Sequence, residues 1–122
     1  MKKVIRKRFD INITVAGSTV KEEFELDKTI TKVVGLAITS DRDDLLYYRG
    51  SHRIALNNEE IFPENYEAKL LQTGINVKPN DRYFRLEREP GNSMLQLHYT
   101  DTNHTGTVFA AYRVSLYIEG EV

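Results

Sequence analysis

Cysteine and tryptophan are both absent from the 122 residues, and proline occurs only three times. Without cysteine there is no disulfide, no thiol nucleophile and no Cys-ligated zinc. A chain of this length buries a core without such staples, and it fits a single domain spanning 1–122. No stretch approaches the roughly 18 apolar residues of a membrane span. The opening MKKVIRKRFD lacks the apolar segment of a signal peptide, so the expectation is a soluble protein made without export. The formal net charge of −1 argues against a general nucleic-acid binder.

Reactive constellations are scarce as well. The histidines His52, His98 and His104 show none of the HxH, HxxxH or HExxH spacings of metal sites, and no GxSxG elbow occurs. Asp41, Asp43 and Asp44 lack the glycine and distal glutamate of a calcium loop. Glu59 and Glu60 are adjacent, so on a strand they point to opposite faces and cannot share one acid–base task. The sequence therefore predicts no catalytic residue, no metal site and no cofactor, and a protein that is not an enzyme.

What is abundant is period-two alternation, the mark of half-buried strands. It runs through Phe9–Val15 and, after the turn Ala16–Thr19, through Val20–Leu26, which together read as a hairpin. Thr29–Thr39 is apolar on both faces and reads as a central strand, broken by the aspartates at 41, 43 and 44. Leu45–Arg49 and His52–Leu56 follow as strands. Asn57-Asn58 suits a tight turn because Asn tolerates positive φ. A return strand starts at Glu59 and Glu60, and Pro63 should stop it. Tyr66, Leu70 and Leu71 at helical spacing, closed by Gly74, predict a single short helix over Glu64–Thr73. Strands around Tyr83–Leu86, Leu95–Tyr99 and Thr107–Glu119 complete the reading, with a solvated polar loop over Asp101–Gly106. About eight strands and one short helix predict an all-β, jelly-roll-like sandwich, with an immunoglobulin-like sandwich as the alternative.

Two features suggest contact surfaces. Lys2, Lys3, Arg6, Lys7 and Arg8 concentrate positive charge in residues 1–8, read as a basic N-terminal arm or strand edge. Such a segment is either a solvated face or a surface that docks on an acidic neighbour. Tyr47 and Tyr48 are adjacent, so on a strand one ring faces the core and the other faces outward, where tyrosine suits a protein interface. A Tyr-lined sugar platform is the alternative use of such rings.

The run GSHRIALNNEEIFPENYEAKLLQ, followed by INVKPNDRYFRL, resembles small β-sandwich proteins of tailed bacteriophage virions, of the auxiliary-capsid or head-fibre type. The likeness covers about the middle third of the chain, and no functional residue carries over with it. It implies a structural subunit of a virion, assembled in the host cytoplasm as a symmetric homo-oligomer such as a trimer. Its implied partner is a larger capsid or tail protein, with no nucleic acid and no membrane.

Overall fold

Alternation carries most of the architecture. The computed structural model describes residues 3–57, 59–67, 83–91, 93–102 and 106–122. Among the described residues the chain forms β1 (Val4–Ile13), β2 (Thr19–Glu25), β3 (Lys32–Ser40), α1 (Asp43–Arg49), β4 (Gly50–Leu56), β5 (Glu59–Glu67), β6 (Phe84–Arg88), β7 (Met94–Asp101) and β8 (Tyr112–Glu121). In β7 the residues Leu95, Leu97, Tyr99 and Asp101 are buried, while those between them are half-buried. In β8 the even positions Tyr112, Val114, Leu116 and Ile118 supply the core. Each apolar side chain sealed in this way contributes roughly 1.5–3 kcal/mol.

Two four-stranded antiparallel sheets form, in the orders β1-β8-β3-β6 and β2-β7-β4-β5. The chain changes sheet at every connection except the β4–β5 turn, and the first strand lies beside the last. That is the doubled Greek-key order of a jelly roll rather than an immunoglobulin-like sandwich. Aromatic pairs close the two open flanks. Phe9 of β1 stacks on Phe24 of β2 at 4.7 Å, and Phe62 of β5 meets Phe84 of β6 edge-on at 5.1 Å.

Four local expectations are corrected. First, β1 and β2 are not a hairpin: the turn, with Gly17 at φ 72°, carries the chain across to the other sheet, where β2 pairs with β7. Second, Leu45–Arg49 is helical. Leu45, Leu46 and Arg49 are buried while Tyr47 and Tyr48 are not, which is one face of a helix. Acidic residues begin α1 and Arg49 lies in its last turn, the arrangement its dipole favours. Third, Glu64–Glu67 belongs to β5, not to a helix; the rest of the predicted helix lies outside the described residues. Fourth, Pro63 does not stop β5. It sits in an edge strand where the β4–β5 register shifts twice, a setting that tolerates its missing N–H. Asn57 does adopt positive φ, at 54°, in the β4–β5 turn.

Candidate docking surface

Cross-strand register arranges the outward side chains of the β1-β8-β3-β6 sheet in rows. One row runs Arg6, Glu119, Gly35, Arg85 across all four strands. Glu119 is 96% buried, yet two arginines reach it. Arg6 donates through Nε and Nη2, both at 2.9 Å, and Arg85 donates from the far side through Nη1. Gly35 makes this possible. A Cβ there would lie 3.1 Å from the Cβ atoms of both Glu119 and Tyr83, so the bare backbone leaves the lane that Arg85 crosses. The Tyr83 ring sits between the two guanidinium groups, 5.7 Å from Arg6 and 5.9 Å from Arg85.

The next rows repeat the theme. Arg8 stands opposite Tyr117, its guanidinium 6.0 Å from that ring. Asp10 stands opposite Ser115 and accepts from Arg8 Nε at 2.8 Å and from Ser115 Oγ at 2.6 Å. Arg113 Nε in turn donates to Ser115 Oγ at 3.2 Å. The Arg8 hydrogen bond first, then that of Ser115, hold the Asp10 carboxyl below its ordinary range. Glu119 thus accepts from two arginines directly, and Asp10 from Arg8 directly, with Arg113 linked to it through Ser115. Glu87 and Glu121 border the lower corner of the face, where a shallow groove also touches Val4, Val34 and Arg85.

The sequence-predicted contact residues do not form one patch. Arg6 and Arg8 lie on this face within a paired strand, because β1 already runs beside β8 from Val4 onward. Lys7 projects the other way, towards Phe9, Glu25 and Asp27 at the β1/β2 flank. Lys3 is exposed, with its carbonyl accepting from Val122 N–H at 2.9 Å, and Lys2 lies outside the described residues. Tyr47 and Tyr48 are on α1, which follows the Ser40 end of β3, the opposite end of the sandwich from Val4. The ten residues of β1 alone span about 30 Å. Neither tyrosine faces the core: they are 48% and 55% exposed, rings edge-to-face at 4.9 Å, because neighbouring positions on a helix can share its solvent side. Arg85, Arg113 and Glu119 were not singled out by sequence. The one available signal was Gly35, a glycine inside an otherwise bulky apolar run.

A second polar cluster lies buried at the α1 end. Arg49 and Asp101 form a two-pronged ion pair, with Arg49 Nη1 also donating to Thr107 Oγ1 at 3.0 Å. The Gly17 N–H donates to Asp101 Oδ2 at 3.1 Å, and the guanidinium lies 5.2 Å from the Phe109 ring. The β1–β2 turn, α1 and the β7–β8 connection are thereby tied together. Asp101 is therefore not the start of a solvated loop but the last, sealed residue of β7. Below it the Tyr99 and Tyr112 hydroxyls meet at 3.1 Å; burial raises both phenols, that of Tyr112 to about 12.

The remaining polar candidates are dispersed. His52 is buried on the inner face of β4, while His98 is half-buried on the outer face of β7, opposite Arg53; His104 lies outside the described residues. Glu59 pairs with Arg88 at 3.7 Å and Glu60 with Arg53 at 2.8 Å, so the two acids face different neighbours. Among the described residues no three histidine or acidic side chains gather as a metal cage, and no helix is long and apolar enough to cross a membrane. No family model matches the chain, and neither a curated protein nor a solved structure matches it.

Proposed function

We propose that this chain is a non-enzymatic docking subunit of a larger assembly, working through protein–protein contacts of the outer face of the β1-β8-β3-β6 sheet. The observation that carries the reading is the shared use of carboxylates there: two arginines on Glu119 and two around Asp10, interleaved with Tyr83 and Tyr117. The ion pairs hold the guanidinium groups in place, and a row of fixed arginines suits an acidic patch on a neighbour. Exposed pairs across such an interface are worth at most about 1 kcal/mol each, so the face steers and orients more than it anchors. A virion-type homo-oligomer docked on a capsid or tail protein is the assembly proposed, in keeping with the resemblance of residues 50–86. Exposed rings give a sugar platform little support: Tyr47 and Tyr48 are on α1, Tyr117 on the outer face and Phe84 at the β5/β6 flank.

The test is mass measurement in solution together with recovery of the chain from purified particles, each across a salt series. Replacing Arg8 and Arg113 by serine removes two cations of the outer face and leaves the Arg6–Glu119–Arg85 row intact, so the fold is retained. Association should weaken, most visibly at low salt. A wild-type chain that stays strictly monomeric and joins no particle overturns the reading.

A further inference from the structure

His52 occupies a position where an apolar residue would be cheaper. It is 99% buried, and neither ring nitrogen has a hydrogen-bond partner among the described residues. Leaving buried polar atoms unsatisfied carries a penalty, so the site is high in energy even with the ring neutral. Its walls are aromatic: Phe62 and Tyr66 of β5 both have ring centroids 5.6 Å away, and those two rings lie tilted to one another with centroids 4.7 Å apart. Tyr99 of β7 lies opposite it in register. The titratable groups facing it are therefore the phenols of Tyr66 and Tyr99. Ser51 and Arg53, its own neighbours on β4, alternate to the outer face. Burial lowers the imidazole to about 4, with no charged side chain among the described residues contributing.

The cover over this ring is an edge strand. Among the described residues β5 is bonded on one side only, to β4. Its register against β4 shifts between His52 and Ile54 and again between Ile54 and Ala55, and Pro63 contributes no donor. Among the described residues a proton on His52 meets no hydrogen-bond acceptor. Displacing the edge strand β5 would give it water as one. Local opening of an edge element generally costs less than unfolding the core.

We propose that His52 is an acid-sensitive latch, and that its protonation releases the edge strand β5 from β4 and uncovers the Phe62–Tyr66 flank while the rest of the sandwich stays closed. Among the described residues the opposite flank, held by Phe9 and Phe24, contains no comparable group. The device is independent of the docking face on the other sheet.

Amide hydrogen exchange at pH 7.5 and pH 5, corrected for intrinsic rates, tests it. With a ring that titrates near 6.5 when released and about 4 when enclosed, opening of residues 59–67 should increase roughly 30-fold at the lower pH. β1 and β8, which open only on global unfolding, should stay far better protected than β5 at both pH values, and the His52→Phe variant should show no acid increase in β5. Should that variant fail to fold, NMR titration of the wild-type imidazole serves: its protonation should coincide with loss of protection in β5. Unchanged exchange of β5, opening of β5 only together with β1 and β8, a persistent acid response in His52→Phe, or protonation with β5 still protected would each overturn the latch.

Discussion

Arg49 and Asp101 meet as a planar pair, Nε to Oδ1 at 2.7 Å and Nη2 to Oδ2 at 3.0 Å, with side chains 1% and 0% exposed. Removing water from both charges is costly, and their attraction repays that cost only while both are present. Asp101→Leu or Arg49→Met alone leaves a buried charge without its counter-ion and should cost about 3–5 kcal/mol in urea denaturation. The double variant should recover most of that loss. Equal costs for single and double variants would contradict the pairing.

The Glu119 row predicts a redundancy. Either arginine alone can still serve the carboxylate, so Arg6→Ser or Arg85→Ser should each cost no more than about 1 kcal/mol. Removing both leaves a nearly sealed carboxylate unpaired. The double variant should lose at least about 1 kcal/mol beyond the sum of the singles. A double-mutant cycle by chemical denaturation measures this, and strict additivity would show that the two arginines do not share the acid.

Gly120 is set against Ile30 from the segment between β2 and β3, where an added Cβ would lie 2.9 Å from Ile30 Cγ2. Gly120→Ala should therefore destabilise by about 1–3 kcal/mol through overpacking. Trimming the neighbour tests the cause. Ile30→Ala, which removes Cγ1, Cγ2 and Cδ1, alone costs about 2–5 kcal/mol, yet combined with Gly120→Ala the loss should be smaller than the sum of the two single losses.

Stability should also fall with acidity through His52. The folded state holds the ring neutral down to about 4, whereas the unfolded chain takes up the proton near 6.5. Between those values the unfolded state binds more protons, so stability is full above pH 6.5 and declines as pH drops. The loss reaches up to about 3 kcal/mol once pH passes the folded value. Urea midpoints for wild type and His52→Phe between pH 7 and pH 4 read it: the variant's curve should be flatter by that amount, and parallel curves would refute the assignment.

The strands were legible wherever a single face is buried. Leu95 to Tyr99 and Tyr112 to Ile118 alternate cleanly because the other face of each meets polar neighbours. What misled was local chemistry that tertiary context overrides. Pro63 reads as a stop, but an edge strand with shifting register has no need of its N–H. The three aspartates at 41, 43 and 44 read as a break, and a helix starts within them; the buried positions 45, 46 and 49 carry its signal. The docking face was half legible. Arg6 and Arg8 stand out as charges in residues 1–8, whereas Arg85, Arg113 and Glu119 come from distant stretches that only register brings together. Nothing local distinguishes buried His52 from half-buried His98, since its enclosure depends on the pairing with β5.

The place of β8 has a consequence for the moment of synthesis. It lies between β1 and β3, and Val4 finds its partner only at Glu121. The β1-β8-β3-β6 sheet cannot close until those final strand residues have left the ribosome, several seconds after β1 at about 5–20 residues per second. Throughout that wait β1 and β3 are adhesive, unpaired segments. Lys3, Arg6, Lys7 and Arg8 then act in time as well as in space: like charges along the nascent β1 keep neighbouring unfinished chains from pairing with it before β8 arrives.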